Sequence, residues 1–406
     1  MNDIRLKTAI FWIVVALAVG YGTGWNVAKT DISLDRNTSF FPTLIIRSKE
    51  APQSVNTDFS RFWKVWELLQ NEYVDKKAIN AEKMVNGAIS GMVQAVGDPY
   101  TTYFPPQDNA MVKEQLRGSF EGIGAELGMR SGKLVVIAPL DGSPASNAGV
   151  RAGDVIVKIS SDDASGMSIG DAVLKIRGPK GTSVTLTLTR SGKEEPFDVS
   201  ITRDTVRVKS VEVAFENDIA VIRLIRFGEQ TNREWDEAVE KITSQGLKGI
   251  VLDLRNNTGG ILESGVYVAS EFLSSGNVVL REDGSGQRSS HAVDGHGRLR
   301  VIPLVVIINK GSASASEIVA GALQEAKRAV LVGETSFGKG SVQKPEILDG
   351  GAGVHITIEH WLLPSGRSIH DKGLTPDVEV KQNGENGEDT QRMKAIELVA
   401  EKIASS

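Results

Sequence analysis

Three loops rich in glycine, serine and asparagine carry the residues best suited to chemistry. The first reads Lys310-Gly311-Ser312-Ala313-Ser314-Ala315-Ser316-Glu317 and falls between an apolar strand pattern and a helix pattern. A serine at a strand-to-helix turn lies beside unpaired backbone N–H groups and the positive end of the helix dipole, a setting that suits an oxyanion. Ser314 with Glu317 three residues on is also a capping-box pattern, so this loop alone reads first as helix capping. The second loop, Gly333 to Gln343, presents Lys339. A lysine held in a dry pocket loses solvation of its charged form, its pKa falls, and the neutral amine becomes a competent base for a serine hydroxyl. Gln343 lies four residues on, where a helical turn would bring its carbonyl oxygen beside the amine. The third loop, Arg255-Asn256-Asn257-Thr258-Gly259-Gly260, can bring backbone N–H groups close to a ligand. Either Gly259 or Gly260 is a candidate second oxyanion donor. Spacing does not choose among Ser312, Ser314 and Ser316.

Composition removes the competing chemistries. Among 406 residues there is no cysteine, which excludes disulfides, a thiol nucleophile and thiolate metal sites. The five histidines are His291, His296, His355, His360 and His370, and no spacing among them resembles a zinc site. His355 and His360 lie five apart in a strand pattern and therefore point to opposite faces. No metal or organic cofactor is called for. Lys+Arg 46 against Asp+Glu 51 leaves a net charge of −5, with no basic surplus for nucleic acid. Gly333-x4-Gly338-Lys339 imitates a phosphate-binding loop, but Gly340 stands where Ser or Thr must hold Mg²⁺, and Pro345 and Gly350-Gly351 interrupt the helix that should follow.

The elements that position these loops read as a layered α/β domain over residues 204–380. Strands are expected at Ile219 to Leu224, Ile250 to Leu254, Leu304 to Ile308, Val330 to Val332 and His355 to Leu362, with a possible edge strand at Thr375 to Val380. Helices are expected at Asn232 to Thr243, Leu262 to Leu273 and Ser316 to Ala326. Residues 117–203 form a small β-rich module, with strands at Leu134 to Ala138, Val155 to Ile159 and Val184 to Leu188 and a helix at Ser168 to Ile176. A polar linker and C-terminal helix occupy 381–406.

Residues 58–116 are helical, with apolar stripes at Phe62, Val65, Trp66, Leu68, Leu69 and at Met84, Ala88, Ile89, Met92; Asp98-Pro99 is expected to end the second helix. This pair packs on its own domain or forms a homo-oligomer contact. Residues 26–57, with Pro42 and Pro52, read as a linker. Arg5 and Lys7 precede an apolar run from Ala9 to Trp25, short for a membrane helix, with no convincing small-x-small cleavage site after it. Residues 1–25 are read as a signal anchor in preference to a cleaved signal peptide, which leaves the bulk of the chain outside the cytoplasm.

From Phe62 to Val380 the chain resembles the C-terminal processing, or tail-specific, proteases. The resemblance rests on Gly97-Asp98-Pro99-Tyr100-Thr101, Phe120-Glu121-Gly122-Ile123-Gly124, Ser143-Pro144-Ala145, Ala152-Gly153-Asp154, Arg177-Gly178-Pro179, Asp253-Leu254-Arg255-Asn256-Asn257, the Ser314 loop, Phe337-Gly338-Lys339-Gly340 and Gly373-Leu374-Thr375-Pro376-Asp377. It implies a crotonase-like, ClpP-like layered protease core with an inserted PDZ domain. It implies further that Ser314 is the nucleophile, Lys339 its base and Gln343 the residue that positions the lysine. The oxyanion hole would come from Ala315 and one of Gly259 and Gly260. The loop Gly122-Ile123-Gly124-Ala125 would take a substrate's terminal carboxylate on backbone N–H groups, the tail adding a strand by β-augmentation. Arg177 matches a position that couples module to core in some relatives. Lys310 departs from the small residue that many relatives carry. The rival function is a catalytically silent, membrane-tethered PDZ adaptor.

Overall fold

The chain divides into two compact units, Met1–Met84 and Val85–Ser406. The computed structural model describes residues 30–35, 43–48, 57–130, 132–140, 142–382 and 388–405. The Ala9 to Trp25 run lies outside them. Among the described residues no helix is long and apolar enough to cross a membrane.

The first unit contains strands β1 (Thr30–Asp35) and β2 (Thr43–Ser48), which pair antiparallel from Thr30↔Ser48 to Asp35↔Thr43. The segment read as a linker thus holds a hairpin. Its short β-branched runs are separated by the Pro42 region, and the prolines outweighed them in the sequence pattern. Helix α1 (Ser60–Glu72) buries no residue, and Phe62, Trp63, Val65, Leu68 and Leu69 are all exposed. Helix α2 (Ala81–Gln94) follows. It ends three residues before Gly97, earlier than the expected stop, and Asp98-Pro99 belong to the turn beyond it.

In the second unit, β3 (Thr102–Phe104) leads into α3 (Pro106–Arg117). The β-rich module then opens with β4 (Ser119–Gly122), followed by β5 (Ala125–Arg130), β6 (Lys133–Pro139), the single turn α4 (Pro144–Asn147), β7 (Val155–Ile159), β8 (Asp162–Asp163), α5 (Ile169–Ile176), β9 (Ser183–Thr189) and β10 (Phe197–Thr202). Five strands form an antiparallel sheet in the order β10-β9-β7-β6-β5, with β8 paired to β7. Alternation in Ser183–Thr189 sends Val184, Leu186 and Leu188 into the core and the threonines outward. The next strand, β11 (Asp204–Arg207), pairs antiparallel with β4, so the chain enters and leaves the module side by side, as an insertion must.

The larger body begins with β12 (Val211–Glu216) and β13 (Ile219–Leu224), then α6 (Thr231–Ser244), β14 (Gly249–Asp253), α7 (Leu262–Ser270), β15 (Asn277–Asp283), β16 (Arg288–Ala292), β17 (Leu304–Ile308), α8 (Ala315–Glu325), β18 (Val330–Gly333), β19 (Ser341–Ile347), β20 (Gly353–Leu362), β21 (Val378–Glu379) and α9 (Thr390–Ala404). Its sheet runs β12-β13-β14-β17-β18-β21 and is parallel except at β12. Every residue of β14 and β17 is buried, as a sheet covered on both faces requires. Helices α6, α7 and α8 cover one face, while Ala395 and Val399 of α9 pack against Val251, Val305 and Val332 on the other.

Of a second sheet, β16-β15-β20-β19 with β3 on β20, only β20 matches an expected strand, His355 to Leu362. Strands β16 and β19 are largely polar and gain their order from pairing, whereas β15 and β20 send Val278, Val279 and Trp361 into the core. Gly350-Gly351, which looked like helix breakers, turn the β19–β20 hairpin. Gln343 is therefore a strand residue paired with Thr357, not part of a helical turn after Lys339. The expected turn fails because β20 supplies partners for this backbone.

Candidate active site

The Ser314 loop leaves β17 and enters α8. Ser312 and Ser316 are fully buried, and their hydroxyls donate to the carbonyls of Leu254 and Asn257, both at 2.8 Å. Ser314 reaches the surface in part, and among the described residues its hydroxyl is tied to no carbonyl. Its backbone stands at φ 55° and ψ −118°, a strained conformation for a residue with a Cβ, of the kind found at nucleophile turns. The N–H of Ala315, first in α8, donates to nothing among the described residues.

The third loop packs against this turn. A Cβ on Gly259 would come within 2.7 Å of Ser314 Cβ and 2.9 Å of the Ala315 nitrogen, so only glycine fits there. The Gly259 N–H donates to Asn257 Oδ1 at 2.9 Å, whereas the Gly260 N–H has no partner among the described residues. Of the two glycines, Gly260 has the amide free to meet an oxyanion. Buried Asn257 organises the region. Its side chain donates to Leu224 O at 2.7 Å, and its carbonyl accepts from Ala313 N–H and the Ser316 hydroxyl.

Glu317 joins the serine and lysine loops. Its carboxylate is fully buried and accepts from Ser314 N–H at 2.8 Å, Ser336 Oγ at 2.6 Å, Gly338 N–H at 2.7 Å and Lys339 N–H at 3.0 Å. One oxygen, Oε2, thus bridges the backbone nitrogens of Ser314 and Lys339. Burial pushes the Glu317 carboxyl above its usual range, and these four bonds pull against that shift. The capping box read from sequence is therefore also a bracket between two loops 25 residues apart, a role that local spacing cannot reveal.

Lys339 is half-buried. Burial pushes its amine below the ordinary lysine range, against the opposing pull of the Asp98 and Glu317 carboxylates. Its carbonyl accepts from Trp361 Nε1 at 2.8 Å, and its ammonium position lies 5.2 Å from the centre of the Tyr100 ring. Among the described residues no hydrogen bond joins the Lys339 amine to the Ser314 hydroxyl, and catalytic contacts of this kind often tighten only with substrate bound. Gln343 donates instead to Ser341 Oγ at 2.9 Å and Thr357 Oγ1 at 3.1 Å. His370 Nδ1 faces the Gly340 N–H at 3.3 Å, and Lys310 is exposed. No cluster of metal ligands occurs among the described residues. A cleft of about 1070 Å³ lies along β12 among charged residues and includes neither Ser314 nor Lys339.

In the β-rich module the loop Gly122–Ala125 joins β4 to β5. The N–H groups of Ile123 and Gly124 are unpaired among the described residues. The Ile123 side chain is buried in the module core. Gly124, at φ 71°, leaves no room for a Cβ, which would fall 2.5 Å from Ser143 Cβ. Strand β5 is the sheet edge and lies near α5. Arg177, which ends α5, bonds Glu114 of α3 at 2.6 Å and covers the Phe120 ring at 4.5 Å.

Comparison with known proteins decides the family. Residues 218–380 match the model of peptidase family S41, and residues 135–190 match that of the PDZ domain. Carboxy-terminal processing protease CtpA of Bacillus subtilis (strain 168) is 36% identical over 338 residues, covering 83% of this chain and 72% of that one. The carboxy-terminal-processing protease of Bartonella bacilliformis is 38% identical over 338 residues, covering 81% and 76%. The chain belongs to the carboxy-terminal processing proteases. It is a serine peptidase with a PDZ domain. A putative S41 protease of Bacteroides fragilis shares the fold at 15% identity and TM-score 0.53, covering 87% of this protease and all of that chain. Residues 17–107 of the protease match a further model, the activating protease CtpB N-terminal domain.

Proposed function

We propose that this protease is an endopeptidase that captures the C-terminal tails of unfolded proteins outside the cytoplasm and cleaves them with Ser314 and Lys339. The observation that carries the reading is the strained Ser314 turn, with the free amides of Ala315 and Gly260 beside it and Glu317 bracketing it to the half-buried Lys339. Neutral Lys339 takes the proton from Ser314 Oγ as that oxygen bonds the scissile carbonyl carbon. The carbonyl electron pair moves to oxygen and is held by the two amides. Collapse breaks the C–N bond, Lys339 returns its proton to the leaving amine, and water hydrolyses the acyl-enzyme. Gln343 acts at the far side of the lysine loop, through Thr357.

The free amides of Ile123 and Gly124 beside edge strand β5 support capture of a terminal carboxylate with strand addition. The basic-flanked run at 9–25 supports a membrane tether. The exposed apolar face of α1 supports a second copy of the chain as its partner. A silent adaptor would have no use for a lysine held below its usual pKa beside a strained serine.

Mass spectrometry of products from an unfolded substrate with an apolar tail tests the reading. Wild type should cleave, and S314A and K339A should not, while both still bind the tail. Below the depressed Lys339 pKa the amine is charged, so kcat/KM should fall about tenfold per pH unit on the acid side. Full activity in either variant, or a flat acid limb, overturns the proposal.

A further inference from the structure

The motif Gly97-Asp98-Pro99-Tyr100-Thr101 has no role in the chemistry derived so far, yet it lies against the lysine. The Tyr100 ring faces the Lys339 amine at 5.2 Å and the His370 ring at 6.0 Å. Asp98 fixes the loop, accepting from Tyr100 N–H at 3.0 Å and Thr101 Oγ1 at 2.6 Å. The loop is moored to the second sheet, where Thr357 N–H donates to Thr101 Oγ1 at 3.1 Å. Thr357 is the same residue whose hydroxyl accepts from Gln343. A continuous polar chain therefore runs from Gln343 through Thr357 to the loop that touches Lys339.

Resting on the Ser314–Lys339 reading, we propose that this loop is the third arm of the catalytic site, with Tyr100 and Asp98 as positioning residues for the Lys339 amine. The Tyr100 ring floors the amine and keeps water from it. Burial, with the charges of Asp371, Glu317 and Asp98, pushes its phenol pKa up, so the ring stays neutral. Asp98 supplies the counter-charge that keeps the amine from losing its proton affinity altogether. Burial pushes the Asp98 carboxyl up, but bonds from Thr101, Thr357 and the loop amides more than offset it and hold the group ionised. Gln343 reaches the lysine by orienting the Thr357 hydroxyl. Glu317 from α8 and His355 from β20 also face the amine, and His370 and Asp371 face the Tyr100 ring. Burial first, then Lys339 itself, holds His355 below its usual range. The loop lies in the second unit, near the end of the 17–107 segment that matches the CtpB N-terminal domain.

The test is the pH dependence of kcat and KM in the full chain for D98N, Y100F and Y100L, with Tm measured for each. D98N removes the counter-charge without changing shape, and its acid limb should move to lower pH by about half a unit to one unit. Y100L opens the amine to water, and its limb should move to higher pH with kcat down about tenfold or more and KM little changed. Y100F keeps the ring, so its acid limb should return toward the wild-type position that Y100L loses. Unmoved limbs in D98N and Y100L, both folded, overturn the inference, since a merely structural loop would lower activity with Tm and leave the limb in place. If Y100L does not fold, D98N alone decides. Activity in S314A or K339A would sink the underlying reading instead, whereas inactivity there with unmoved limbs sinks only this one.

Discussion

Two loops of this protease carry free backbone amides, and they are built in opposite ways. The Ser314–Ala315 turn sits at the end of a fully buried parallel strand, braced by Asn257 and Glu317. The Ile123–Gly124 turn sits at the open edge of a small antiparallel sheet, backed by Ser143 and the β4–β11 pair. In the proposed function the first must meet a transition state whose position is fixed to a fraction of an ångström, and the second must admit many tails. Bracing suits the one and an unpaired strand suits the other. In that proposal the same amide chemistry serves catalysis or recognition according to what holds it.

The sharpest way to break this contrast is to unbrace the first loop. Glu317→Ala leaves four donors without an acceptor, of which the buried pair, Ser336 Oγ and Gly338 N–H, cost about 1–3 kcal/mol each. Stability should fall by about 3 kcal/mol or more, and kcat by at least about a hundredfold from misplacement alone. Glu317→Gln keeps the shape but turns an amide group toward N–H donors and should fall between. Circular dichroism melts with peptide kinetics check both, and a Glu317→Ala enzyme with wild-type kcat would show that the turn is rigid without its bracket.

Next in size is the recognition loop. Gly124→Ala forces a Cβ into Ser143 and displaces the amides proposed to hold the tail carboxylate. Loss of one charge-assisted bond, about 1.5–3 kcal/mol, should raise KM about ten- to a hundredfold for tailed substrates. Cleavage of a short peptide without a recognised tail should keep its kcat. Equal losses on both substrates would mean that the two loops are not separable.

Sequence legibility follows the same divide. The apolar strands Val155–Ile159, Ile219–Leu224 and Leu304–Ile308 have the boundaries their patterns indicate, because burial on a face or on both faces writes itself into residue type. The three chemistry-bearing loops were legible from glycine and serine spacing, and family resemblance singled out Ser314. Strands β15, β16 and β19 were not legible, since their order comes from partners distant in the chain. For the same reason spacing puts Gln343 on a helical turn and shows Glu317 only as a cap. Asp98 and Tyr100 had a motif as signal, but nothing local pointed it at a lysine more than 230 residues away.

The smallest expected effect lies where the PDZ domain meets the helix before it. Arg177 of the PDZ domain reaches Glu114 of α3 at 2.6 Å, with each side chain about a third exposed at 30% and 32%. Solvent screening at that exposure limits the pair to about 0.5–1 kcal/mol. Stacking of Arg177 on Phe120 adds an interaction that survives loss of Glu114. A double-mutant cycle of Arg177→Ala and Glu114→Ala should therefore give a coupling energy below about 1 kcal/mol in stability. The informative readout is kinetic. If the contact transmits tail occupancy to the core, either substitution should change the ratio of tailed to tailless kcat by about two- to fivefold, beyond any change in Tm. Because a pair this weak cannot hold the domains rigidly together, such a change would mean that the contact forms in one state of the module and not in the other. An unchanged ratio would leave capture and cleavage as two independently built sites joined only by the chain.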